Sequence, residues 1–138
     1  MDNIIYIEWL THQIEVYRHR IDAHKSSIRY GLGKAYHKKR LIRDTRIYNG
    51  LLETRDMAAG EEMSHMADTE YIDWLHRQLD TFEEREREHA AAIPLTRAKT
   101  SYYRHRQTAV VAHEIARGLK ATIDFYEEKE GEDTNGNS

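Results

Sequence analysis

Ile7, Leu10, Ile14, Tyr17, Ile21, His24 and Ile28 step along the chain by alternating threes and fours, and mostly polar positions fill the intervals. That spacing lays one apolar seam along an α-helix and predicts a helix over about 3–28. Ile72, Leu75, Leu79, Phe82, Glu86, His89 and Ile93 repeat the seam and predict a helix over about 69–92. Asp2 or Asn3, and Asp68 or Thr69, are the candidate N-caps. Gly31 and Gly33 mark a turn, after which a returning helix spans about 34–59 and closes at Gly60. A fourth helix is expected to begin near Pro94, a residue tolerated in a first helical turn, with Tyr102, Ala109, Ala112, Ala116, Leu119, Ile123 and Tyr126 holding its period. Met63 and Met66, in the connection from Ala58 to Ala67, are expected to tuck back onto the helices. No apolar residue follows Tyr126, so the acidic segment 127–138 is predicted to be disordered.

The chain repeats itself. Tyr6-Ile7-Glu8-Trp9-Leu10, with Gln13, Ile14, Glu15 and Tyr17, returns 65 positions later as Tyr71-Ile72-Asp73-Trp74-Leu75, with Gln78, Leu79, Asp80 and Phe82. Ile47, Gly50, Leu51, Thr54 and Asp56 return 68 positions later as Ile115, Gly118, Leu119, Thr122 and Asp124, so the second copy carries a three-residue insertion. The expected architecture is all-α: a four-helix, up-down-up-down arrangement from a tandemly duplicated helical hairpin. The copies span about 3–60 and 68–126 within a single domain, 1–126, followed by the tail 127–138.

At 138 residues the two copies have to share one core. With 33% charged residues, 39% hydrophobic ones and a single Pro, the composition suits helices with heavily charged outer faces. The absence of cysteine excludes disulfides, thiolate metal sites and a cysteine nucleophile. Nothing near Met1 reads as a signal peptide and no apolar run approaches the roughly 20 residues of a membrane span. The expectation is a cytoplasmic protein with no membrane partner.

A second stripe on the first helix, Tyr6, Trp9, Gln13, Val16 and Arg20, has as its counterpart Tyr71, Trp74, Gln78, Thr81 and Arg85. One neighbouring helix cannot cover both this stripe and the main seam, because Trp9 lies roughly 130° from the middle of the latter. As a packing surface, the stripe lies between two helices of its own bundle or across a homodimer interface. As a binding surface, Tyr6, Trp9, Gln13, Arg20, Tyr71, Trp74, Gln78 and Arg85 would grip a protein partner, since Trp, Tyr and Arg dominate interface hot spots. Gly50 and Gly118, each inside a predicted helix at a cost of about 1 kcal/mol relative to Ala, point to close approach of a neighbouring element.

Charge is unevenly spread. Net charge is −3, yet from Arg18 to Arg46 ten Lys and Arg stand against Asp22 and Asp44, a local balance of +8. Lys34, His37, Lys38, Lys39, Arg40, Arg43 and Arg46 form a polyanion-binding candidate, echoed more weakly by Arg104 and Arg106. Cations interleaved with Tyr and His suit phosphates and bases, although a charge run on a helix is usually a solvated face that pairs with acids elsewhere.

Metal and cofactor chemistry finds little support. Glu86 and His89 have the E-x-x-H spacing of carboxylate-bridged di-iron bundles, but the matched residues of the first copy are Ile21 and His24. Glu62 to His65 has the same spacing within a connection, and His113-Glu114-Ile115-Ala116-Arg117 ends in Arg where H-E-x-x-H needs a second His. His24 and His89 instead read as half-buried, hydrogen-bonded histidines, with a paired pH-sensitive contact as the alternative. Glu53 and Asp56, with the acidic run Glu83 to Glu88, resemble in part the E-x-x-D and E-x-x-E carboxylates of all-α nucleoside triphosphate pyrophosphohydrolases, but their order along the chain departs from that pattern. The resulting expectation is a non-catalytic interaction protein, an adaptor or inhibitor of the kind associated with viral or mobile-element accessory roles, with no metal or cofactor. The alternatives are a nucleic-acid or nucleotide binder and, behind it, a metal-dependent all-α hydrolase.

Overall fold

The computed structural model describes residues 4–60 and 68–136, with side chains through Lys129. It is all-helical over these residues: α1 (Ile4–Arg29), α2 (Lys34–Ala58), α3 (Thr69–Ala92), a 3-10 turn (Ile93–Leu95) and α4 (Lys99–Gly136). No described helix is long and apolar enough to cross a membrane. Asp2, Asn3, Met63, Met66 and the Glu62–His65 spacing lie outside the described residues. The chain divides into two compact units, one of residues 7–72 and one of residues 1–6 with 73–138.

In the unit of residues 7–72, α1 ends where Gly31 turns to φ 74°. The Gly31 N–H donates to Ile28 O and the Leu32 N–H to Ser27 O, a Schellman closure that needs the left-handed residue glycine supplies. On α1, Leu10, Ile14, Tyr17 and Ile21 are buried, and on α2 Ile47, Leu51 and Thr54. Burying a large apolar side chain contributes about 1.5–3 kcal/mol. The α3 N-cap is Asp68, whose Oδ1 accepts from the Glu70 N–H at 2.9 Å, and Tyr71 and Ile72 of that first turn belong to this unit. Tyr71 is fully buried, lies against Gly50 and hydrogen-bonds Thr54 through its hydroxyl.

In the other unit, Leu75 and Phe82 of α3 and Ala112, Ile115, Ala116, Leu119, Ile123 and Tyr126 of α4 are buried. The first turn of α1 belongs here, and its Tyr6 lies against Gly118 with its hydroxyl 2.8 Å from Thr122 Oγ1. Burial pushes the Tyr6 phenol up from its ordinary range, partly offset by the Thr122 hydrogen bond.

Two boundaries differ from the sequence expectation. Pro94 sits in the 3-10 turn rather than opening the fourth helix, which starts at Lys99. Proline disfavours helical geometry in the residue before it and provides no N–H, so α3 stops short and the chain re-enters helix only beyond Thr96, which is extended at ψ 123°. Tyr126 is the last buried residue among the described side chains, and α4 continues to Gly136 through the segment where disorder is expected. Backbone hydrogen bonding propagates from a formed helix without further apolar burial, and Glu and Lys are good helix formers.

Candidate functional site

The Tyr-Trp stripes are not surface. Trp9 is 9% exposed and Trp74 2%, and Tyr6 and Tyr71 are buried, so none of the four rings offers a face to a partner. Gln13, Arg20 and Gln78 are half-buried and Arg85 is exposed. Each Arg lies over the preceding aromatic of its own helix: Arg20 Cζ is 4.9 Å from the Tyr17 ring centre and Arg85 Cζ 4.8 Å from that of Phe82. The four rings read as part of a gripping patch therefore lie in the core, with Tyr71 against Gly50 and Tyr6 against Gly118, while the two Arg side chains lie over seam aromatics of their own helices.

The basic run on α2 divides by what each group touches. Arg46 is engaged with Asp68 at 3.3 Å and Glu70 at 3.1 Å. Arg43 Nε lies 4.0 Å from Asp44, and Arg40 stands over the Tyr36 ring at 5.3 Å. His37 is half-buried against His24. Lys34, Lys38 and Lys39 are exposed and face no acid among the described residues, and Arg104 and Arg106 of α4 are exposed too. Around the α1–α2 turn, Tyr30, Leu32 and Tyr36 are also exposed, at 74%, 65% and 57%. The site is an open, positively charged hairpin end carrying accessible rings.

Beneath it lies a group that pattern reading passes over. Asp44 is wholly buried and neither carboxylate oxygen accepts a hydrogen bond from the described residues. Its Oδ2 is 3.2 Å from His24 Nε2 and 3.5 Å from Arg20 Nε. A buried carboxylate is costly unless cations surround it, and here Arg20 and Arg43 do, with the His24 ring beside them. His24 Nδ1 in turn meets His37 Nδ1 at 2.8 Å, and in the other unit His89 Nδ1 meets His105 Nδ1 at the same distance. In the sequence His24 and His89 fall on the seams, whereas His37 falls within the charge run. The signal was available: His37 and His105 stand 68 positions apart, as Gly50 and Gly118 do. Asp44, in contrast, reads in sequence as one counter-charge among many cations.

The residues with metal-motif spacing disperse. Glu86 bonds His113 at 3.0 Å while His89 turns to His105, so the E-x-x-H pair serves two different partners. Glu114 faces Arg117 at 3.6 Å. Glu83, Glu86, His113, Arg117 and Lys120 line an open groove of about 250 Å³ between α3 and α4. Among the described residues no three His, Asp or Glu side chains are placed to hold a metal ion. Compared with known proteins, the chain matches no family model, no curated protein and no solved structure.

Proposed function

We propose that the chain is a duplicated helical hairpin that acts by binding rather than by catalysis, and that its ligand is a nucleic-acid strand held at the α1–α2 end. The observation that carries this reading is the set of exposed lysines, Lys34, Lys38 and Lys39, with no acid partner among the described residues, beside the exposed rings of Tyr30 and Tyr36. Lysines neutralise phosphates with release of counterions, and accessible rings stack on bases whatever the sequence. The burial of the Tyr-Trp stripes leaves this end as the chemically distinctive exposed surface of the first copy.

Anisotropy of a labelled single-stranded oligonucleotide titrated with the full chain at several salt concentrations tests this. Affinity is expected to fall as salt rises. Lys34→Ala, Lys38→Ala and Lys39→Ala together are expected to weaken binding and reduce the slope of log K against log salt by about 2, at about 0.7 per phosphate contact for single strands. Binding indifferent to salt or to the triple substitution would contradict the proposal.

A protein partner is favoured by a different observation. Ile42 on α2 and Val110 on α4, at equivalent positions of the two copies, are exposed at 56% and 52%. Twinned apolar positions on outer helix faces suit a protein surface better than a nucleic acid, and Ile42→Ser with Val110→Ser separates the readings by leaving oligonucleotide affinity unchanged.

A further inference from the structure

We propose that the two histidine pairs are proton-operated clasps closing the helical hairpins near their turns. The pairs share one geometry: Nδ1 to Nδ1 distances of 2.8 Å, ring centres 5.0 Å apart, and planes tilted by 48° and 41°. A hydrogen bond between two ring nitrogens needs one N–H and one lone pair. Each pair therefore keeps its bond with no added proton or with one. A second proton leaves two N–H groups facing each other and two imidazolium charges in contact.

The surroundings differ. At the first pair, α2 brings the buried carboxylate of Asp44 against His24 Nε2, with Arg20 of α1 and Arg43 of α2 on the same carboxylate. Tyr36 meets His37 edge-on, its ring centre 5.1 Å away, and Lys25, Lys34 and Lys38 flank the pair in sequence. At the second pair, the residue equivalent to Asp44 is Ala112, and no described carboxylate makes an ion pair with His89 or His105. Of the neighbouring charges, Arg85 lies over Phe82 and Glu86 is engaged by His113, leaving Glu88 beside His89 and Arg104 and Arg106 beside His105.

The sign follows from proton counting. A closed clasp holds fewer protons than two free histidines in acid, so its contribution is complete at high pH and is lost as pH falls through the imidazole range, about 8 to 5.

Hydrogen exchange of backbone amides near each turn, measured on the full chain from pH 8 to pH 5 and corrected for intrinsic exchange, tests the clasps. Protection is expected to fall by roughly fivefold or more, the scale of one lost hydrogen bond, near 24–37 and near 89–105. His89→Gln is expected to abolish the step near 89–105 and leave the other in place, and His37→Gln the reverse. No loss of protection at either turn, or a step that survives substitution of its own histidine, would overturn the proposal.

Discussion

Gly50→Ala and Gly118→Ala are each expected to destabilise the fold by about 2 kcal/mol, measured by urea or thermal unfolding. Helix propensity alone predicts the opposite, since Ala is favoured over Gly by about 1 kcal/mol inside a helix. Packing reverses the sign. A Cβ at Gly50 would stand 2.6 and 2.7 Å from Cδ1 and Cδ2 of Tyr71, and one at Gly118 would stand at the same distances from Cδ1 and Cδ2 of Tyr6. Both rings are buried, and their hydroxyls are hydrogen-bonded to Thr54 and Thr122, so neither can swing aside. Overpacking of this kind costs about 1–3 kcal/mol and occasionally more. A neutral or stabilising result would mean that the rings do not rest on the glycines.

Truncating the rings is expected to cost more. Tyr71→Ala and Tyr6→Ala should each lose about 3–5 kcal/mol, the range for a buried aromatic cut to Ala. The informative variant is the double one. Once Tyr71 is Ala, the Cβ of Gly50→Ala enters the space the ring has left, so its penalty should vanish and the two substitutions should couple strongly. Tyr6→Ala should relieve Gly118→Ala in the same way and leave Gly50→Ala untouched. The milder Tyr6→Phe should cost about 1 kcal/mol, because Thr122 Oγ1 retains its 2.8 Å hydrogen bond to Gly118 O. Tyr6 also sets an alkaline limit. Its phenol is held up by burial and keeps its proton when folded, while the unfolded side chain releases it near pH 10, so stability falls as pH rises beyond that point. Tyr6→Phe should remove that part of the alkaline loss.

Much of the architecture is legible in the sequence because a long seam of alternating threes and fours has only one helical reading. Leu10, Ile14, Tyr17 and Ile21 are buried as that spacing requires, as are Ile72, Leu75 and Phe82. The paired glycines also announce a close approach. What they meet is not legible, because Tyr71 and Tyr6 reach Gly50 and Gly118 through tertiary packing that no local pattern encodes. For the same reason the stripe of Tyr6, Trp9, Tyr71 and Trp74 reads equally as interface or interior. An aromatic stripe records that something covers it and not what. Asp44 is hidden by chemistry rather than distance, since its burial depends on Arg20, His24 and Arg43 converging on it from two helices. The cations of α2 are legible as charge, but only the fold divides them into Arg46, paired with Asp68 and Glu70, and Lys34, Lys38 and Lys39, which make no ion pair among the described residues.

On the proposed reading, Tyr, Gly, Thr and His at matched positions support structure, and the cations of α2 that lack such matches support binding. Matched charge removal in the full chain tests this division most directly: Lys34→Ala with Lys38→Ala and Lys39→Ala in one variant, Arg104→Ala with Arg106→Ala in another, each checked for unchanged helicity and titrated with the same single-stranded oligonucleotide at low salt. The predicted result is a large loss of affinity in the α2 variant and little change in the α4 variant. Equal losses, or a larger loss from α4, would contradict it.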